Sequence, residues 1–272
     1  MSAKIKFEQS DGVAHVTLSY PRRFNAMSRA MWLELRAVFE RLQDESDVRC
    51  VLISGQGAHF CAGGDISEYA AFRFNEAALR EFHEVDVWGA LRAMLVCDVP
   101  MVAQIAGNCM GAGVELASCC DIRLAAESAR FGAPIARLGF PMAPREAALV
   151  AREVGLVTAR QMLLEAAVLG APEMLQRGFL SRVAADVDLA TLAQTTVQRI
   201  CQLAPQAARL NKQTLRVLNS SPVLMDAMPL RQLSTAQPDL LSTLLATAYD
   251  YADIAEQHEG ITAFLEKRPP RF

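Results

Sequence analysis

The chain has 272 residues, 52% hydrophobic and 21% charged, which is enough apolar material for one large folded core and argues against disorder. Its 27 basic and 30 acidic side chains sum to a net charge of -3, so bulk polyanions such as nucleic acid or an acidic membrane are poor partners, although a local anion pocket is invisible in such a sum. Seven cysteines (Cys50, Cys61, Cys97, Cys109, Cys119, Cys120 and Cys201) lie mostly inside apolar runs and read as reduced, buried thiols.

The four histidines, at 15, 59, 83 and 258, stand apart from one another and from any short-spaced cysteine set, so no metal site is expected. The start, MSAKIKFEQSDG, lacks the apolar segment of a signal peptide, and no window approaches about 18 uninterrupted apolar residues. A soluble, cytoplasmic protein is the expectation.

Val13 to Leu18 is the first strand signal, apolar on both faces and so read as a covered strand rather than a wet hairpin edge. From Ser28 to Leu42 the apolar residues Met31, Leu35, Val38 and Leu42 recur at helical spacing. Val48 to Ile53 reads as a buried strand stopped by Ser54-Gly55-Gln56-Gly57, and a loop with Gly63 and Gly64 follows. Glu76 to Val96 is helical in pattern, and Asp98-Val99-Pro100 breaks it before the strand Met101 to Ala106.

A second glycine-rich turn, NCMGAG, then leads into Val114 to Ala117, and Asp121 to Ala125 reads as another short buried strand. Helices dominate afterwards: Arg145 to Val154, Thr158 to Leu169, Pro172 to Arg177 and Leu189 to Cys201, with a short strand candidate at Leu180 to Val183. Pro205 opens a further helix and Leu240 to Gln257 a last one, before the tail EKRPPRF. The expected organisation is an α/β core over residues 1–200 and a helical C-terminal oligomerisation region over 201–272.

The two glycine-rich turns each follow a buried strand and precede a segment able to open a helix, which leaves backbone N–H groups free to meet negative charge. Neither carries the full Gly-x-Gly-x-x-Gly pattern, and no Gly-x-x-x-x-Gly-Lys-Ser/Thr sequence occurs. Nucleotide cradling and plain tight turns both remain open on the turns alone. Glu115 stands out because it is a carboxylate in the apolar string Met110 to Ala117, one helical turn beyond Ala112. The alternative for Glu115 is a helix-start residue that caps local N–H groups.

Five stretches resemble the crotonase superfamily, the enoyl-CoA hydratase/isomerase family: PRRFNAM at 21–27, HFCAGGDI at 59–66, IAGNCMGAGVELASCCDIRLA at 105–125, ARFGAPIARLGF at 129–140 and FLEKRPPRF at the end. The resemblance covers essentially the whole chain. It implies an α/β spiral of repeated strand-strand-helix units with a C-terminal helical trimerisation region, assembled as a homotrimer or hexamer. It also implies an acyl-CoA thioester substrate, coenzyme A being part of the substrate and no separate cofactor being required.

Carried onto these residues, the resemblance makes the N–H groups of Gly64 and Ala112 the donors to the thioester oxygen and Glu115 one of the two glutamates of a hydratase. The position of the second glutamate holds Ile135, which can neither activate water nor move a proton. Candidates to replace it are Glu68, Tyr69, Arg137, Arg145, Glu146 and His83. Glu146 and Arg145 also read as an ordinary helix start, Glu68 and Tyr69 as solvated surface, and His83 as interfacial or core. The resemblance places Arg22, Arg23 and Phe24 with Ala62, Gly64, Asp65 and Ile66 along the coenzyme A, and Phe264 and Lys267 as contacts from the terminal helix.

Asn25 reads as a loop-fixing or capping amide, Asp121 as the holder of a turn, Trp32 and Trp88 as packing groups, and Met142 as a wall of the acyl tunnel. The expected activity is that of an enoyl-CoA hydratase/isomerase-like enzyme working through an oxyanion hole and a single glutamate. The alternatives are an acyl-CoA isomerase, decarboxylase or hydrolase with a reshaped pocket, and a catalytically inactive acyl-CoA-binding protein.

Overall fold

The computed structural model describes residues 3–220 and 254–272. Six strands form one sheet: β1 (Lys4–Ser10), β2 (Val13–Ser19), β3 (Cys50–Gly55), β4 (Met101–Ile105), β6 (Ile122–Ala126) and β9 (Arg182–Ala184), hydrogen-bonded in that order. Only the β1–β2 pair is antiparallel; every other neighbour is parallel. A second sheet has β5 (Asn108–Met110), β7 (Arg130–Gly132) and β8 (Val168–Gly170).

Parallel neighbours need crossovers, and here these are helices. Between β2 and β3 lies α1 (Arg29–Leu42), which buries Met31, Trp32, Leu35, Phe39 and Leu42 on one stripe. Ser28 caps it, its side chain accepting a hydrogen bond from the Met31 N–H at 3.2 Å. Between β3 and β4 run α2 (Glu76–Glu81), a π-helical segment (Phe82–Val87) and α3 (Trp88–Val96). The π segment adds a residue to a turn, so the continuous helix read from the sequence over 76–96 contains a phase shift at Phe82 and His83.

The remaining units repeat one plan: a strand of the large sheet, a strand of the small one, then helix. β4 and β5 are followed by α4 (Ala112–Ser118), and β6 and β7 by α5 (Pro144–Val154) and α6 (Leu156–Leu164). In the preceding turn of the spiral Cys61 stands where the small-sheet strand would be, in a parallel bridge to Cys109 of β5. α7 (Ala171–Gln176) and α8 (Leu189–Cys201) follow β8 and β9.

Several sequence expectations shift. The signal at Val13 begins in a hairpin after all, because β1 covers one edge of β2 through the Asp11-Gly12 turn; β2 is nonetheless interior. The helix expected over Thr158–Leu169 stops at Leu164. Ala166 adopts φ 56°, a left-handed conformation that no helix continues, and 168–170 pair with β7 instead. β5, β7 and β8 are three residues each, too short to show any periodicity.

Contacts divide the chain into Met1–Ile200 and Cys201–Phe272. The second unit contains α9 (Pro205–Ser220) and α10 (Ala255–Leu265), where Arg268 makes a double contact with the Glu259 carboxylate at 2.7 and 2.9 Å. Of the last helix read from the sequence over Leu240–Gln257, residues 240–253 lie outside the described residues. All seven cysteines are free thiols, six of them buried. Among the described residues no helix is long and apolar enough to cross a membrane.

Candidate active site

The spiral brings three stretches of chain side by side. Cys61 pairs with Cys109, and Cys109 with Phe131, all in parallel register. Three residues beyond each lie Gly64, Ala112 and Pro134, and all three line one cavity of about 320 Å³. The site thus opens past the carboxyl ends of parallel strands, where ligand sites of α/β sheets gather.

The turns are shaped by glycine. Gly111 holds φ 49° and ψ -111°, a combination that a Cβ opposes, and this starts α4 with Ala112 as its first residue. Gly63 holds φ 111° and passes within van der Waals reach of Met110 and Gly111. Among the described residues the N–H groups of Gly64 and Ala112 donate to no protein acceptor. These are two unsatisfied donors on one wall of the cavity.

Glu115 is buried at 5% exposure and lines the same cavity. It sits at the fourth position of α4, beyond the reach of a capping box, and that helix has no side-chain cap. The capping alternative is therefore overturned. Burial pushes the Glu115 carboxyl well above its ordinary pKa, and the nearby Glu146 pushes it the same way.

Of the six replacement candidates, four line the cavity: Tyr69, His83, Arg137 and Glu146. Glu146 is 4% exposed, and its Oε1 is 2.7 Å from His83 Nδ1. Burial drives both groups toward their neutral forms, raising Glu146 to about 8 and lowering His83. At neutral pH the contact is a hydrogen bond between a carboxylic acid, which donates, and a neutral imidazole rather than an ion pair. Glu146 does stand in the first turn of α5, as the helix-start reading has it, and His83 is largely buried, yet both side chains also face the cavity. The sequence hides them because the partners are 63 residues apart and the π segment sets the direction of His83.

Tyr69 is half-buried, and its hydroxyl packs against Gly64 so closely that an added methyl there would lie 2.3 Å from it; the surface reading fails for this residue. The other two candidates turn away. Glu68 accepts a hydrogen bond from the Arg29 N–H at 2.7 Å, and exposed Arg145 pairs with Glu84. Ile135 lines the cavity on a short turn, Pro134–Leu138, with Met142 and Trp32 also in its walls. Arg73, which the sequence reading passed over, lines it too.

Arg22, Arg23 and Phe24 form an exposed turn outside the cavity, tied to the site by a hydrogen bond from the Ala62 N–H to the Phe24 carbonyl at 3.0 Å. Ala62, Gly64 and Ile66 line the cavity; the Asp65 carboxylate instead accepts hydrogen bonds from the Ser67 N–H and hydroxyl at 3.1 and 2.7 Å. Phe264 and Lys267 belong to the second unit, where Phe264 is 82% exposed. Asn25, fully buried, accepts from the Tyr20 N–H and donates to the carbonyls of Gln56 and His59, and Asp121 accepts from the Met101 N–H at 2.7 Å, so both fix turns. Among the described residues no cluster of His, Cys, Asp and Glu could hold a metal ion.

A family model for enoyl-CoA hydratase/isomerase matches residues 8–272. A probable enoyl-CoA hydratase of Mycobacterium tuberculosis is 32% identical over 269 residues, covering 98% of this chain and 97% of that protein. One of Rhodobacter capsulatus is 31% identical with the same coverage. A solved structure described as an enoyl-CoA hydratase/carnithine racemase from Magnetospirillum magneticum has a TM-score of 0.88 at 32% identity, covering 100% of this chain and 96% of that one. The chain belongs to the crotonase (enoyl-CoA hydratase/isomerase) superfamily and has its α/β spiral with a helical C-terminal region.

Proposed function

We propose that the protein is an enoyl-CoA hydratase/isomerase-like enzyme acting on an acyl-CoA thioester, with Glu115 as its principal acid/base and the Glu146–His83 pair taking the part of the carboxylate missing at Ile135. The observation that carries this reading is that two unpartnered backbone donors and two buried carboxyls, each raised in pKa by burial, line one cavity.

Adding water across a conjugated enoyl thioester puts negative charge on the thioester oxygen. The N–H groups of Gly64 and Ala112 are the donors for that oxygen, reinforced by the positive end of α4. The water oxygen bonds to the β-carbon and gives its proton to one carboxylate, while the α-carbon takes a proton from the other carboxylic acid. Two buried carboxyls in one cavity suit this division, because ionising one holds the proton on its neighbour. His83, hydrogen-bonded to Glu146, orients that carboxyl. The exposed Arg22-Arg23 turn beside Ala62 supplies charge for phosphates of coenzyme A.

The test is turnover of crotonyl-CoA and of a 3-enoyl-CoA, with Glu115→Gln alongside. The variant is expected to lose at least about a hundredfold in kcat on the substrate the parent turns over. Equal turnover by both rejects the role of Glu115, and binding of both esters with no product from a broad thioester panel replaces the enzyme reading with that of an acyl-CoA-binding protein.

The second unit is proposed to mediate a homotrimer or hexamer, supported by exposed Leu215, Ile261, Phe264 and Leu265 on α9 and α10. Light scattering on the eluting protein checks this; a monomer at micromolar concentration refutes it.

A further inference from the structure

Arg73 sits in the cavity wall without a counter-ion. Its guanidinium carbon lies 3.5 Å from the ring centroid of Phe140 and 4.2 Å from that of Tyr69, two rings that stand 5.8 Å apart and edge-to-face, so they pack on it from adjacent sides. Its Nε is buried with no hydrogen-bond partner. Among the described residues no carboxylate lies within 4.0 Å of it, for the nearby acids are otherwise engaged: Glu84 with Arg145 and Glu146 with His83. Burial raises the Glu146 carboxyl to about 8 even though Arg73 acts to lower it, so burial weakens the compensation Glu146 can offer.

A guanidinium in a cavity wall can meet a carboxylate through paired hydrogen bonds, and the Tyr69 side chain, which hydrogen-bonds to Arg73, helps to fix it there. Apolar Phe82, Leu138 and Met142 share the lining with the polar side chains of His83, Arg137 and Glu146. A hydrocarbon tail entering here would leave a cation desolvated and unpaired, which is costly. A tail that ends in a carboxylate would neutralise it. The reach is short: the Tyr69 hydroxyl packs on Gly64 and the guanidinium packs on the Tyr69 ring, so a single aromatic ring spans the gap from the thioester end to the cation.

We infer that the cavity selects short acyl-CoA thioesters whose acyl chain ends in a carboxylate, and that Arg73 is the residue that recognises it. This rests on the reading of the cavity as an acyl-CoA site and adds the substrate class to it.

Because the selection is one of binding, it is measured without turnover. Calorimetric titration of the full chain compares saturated esters matched in carbon number: glutaryl-CoA with pentanoyl-CoA and adipyl-CoA with hexanoyl-CoA. In at least one pair the carboxylate ester is expected to bind tenfold or more tightly, a preference that Arg73→Met reduces to about one and Arg73→Lys retains in part. If both members of each pair bind the parent alike, or if the preference survives Arg73→Met, the inference is overturned while the acyl-CoA reading stands. If no ester binds, that reading fails and takes the inference with it. Thermal melts accompany each variant, and the comparison within the parent decides the matter if Arg73→Met does not fold.

Discussion

Ala112→Pro removes one of the two proposed oxyanion donors and little else. Ala112 is the first residue of α4, the helical position at which proline's fixed φ and missing N–H are tolerated. Its N–H donates to no protein acceptor among the described residues, so no native hydrogen bond is lost and folding stability is expected to change by less than about 1 kcal/mol. The transition state, by contrast, loses one of two donors in a closed cavity, where a donor of this kind contributes roughly 3–4 kcal/mol. The consequence is a fall in kcat/KM of about a hundred- to a thousandfold. Initial rates of crotonyl-CoA hydration, or of whichever thioester the parent converts, measure it beside urea unfolding of the same preparation. Ala112→Gly keeps the N–H and is expected to stay within about threefold of the parent. A folded Ala112→Pro protein with near-parental kcat/KM would refute the placement of the thioester oxygen.

Two further outcomes concern stability. Glu146 has a pKa of about 8 in the folded protein against an ordinary 4.5, so between these values the folded state holds a proton that the unfolded chain has released. Stability is therefore greatest at the acid side of that window and declines as pH rises through it, by an amount on the order of a few kcal/mol for this group. Glu146→Gln, compared with the parent in urea titrations at pH 5, 6, 7 and 8, should show a flatter decline; parallel curves contradict the neutral carboxyl. Asn25→Ala breaks two hydrogen bonds from the 20–25 turn to the 56–59 loop and one within the turn, all at a buried side chain, and is expected to cost about 3 kcal/mol by the same titration, whereas a loss under about 1 kcal/mol would show that the loop holds without it.

Much of the scaffold is legible in the sequence because its signals are local. The stripe of Met31, Trp32, Leu35, Phe39 and Leu42 needs only helical spacing to be seen, and the buried run ending at Gly55 needs only its β-branched density. The glycine turns and Glu115 are equally visible, since an acid within an apolar helix start contradicts its surroundings. The small-sheet strands carry no such signal: three residues show no period, and each is held by partners twenty or more positions away.

The second half of the site has the same character. The family resemblance makes Ile135 the place of a missing carboxylate, but the pairing proposed to replace it depends on the packing of α5 against the helix that carries His83. Glu68, Tyr69, Arg145 and Glu146 look equivalent along the chain. In the fold two of them face the cavity and two turn away, because hydrogen-bond partners at positions 29 and 84 claim Glu68 and Arg145. The identities of the reacting groups are written in residue types and short spacings, which act through bonds and a single helical turn. The raised pKa of Glu146, and the buried Nε of Arg73 that no acceptor meets, arise only when distant segments close around them, and no local pattern encodes that.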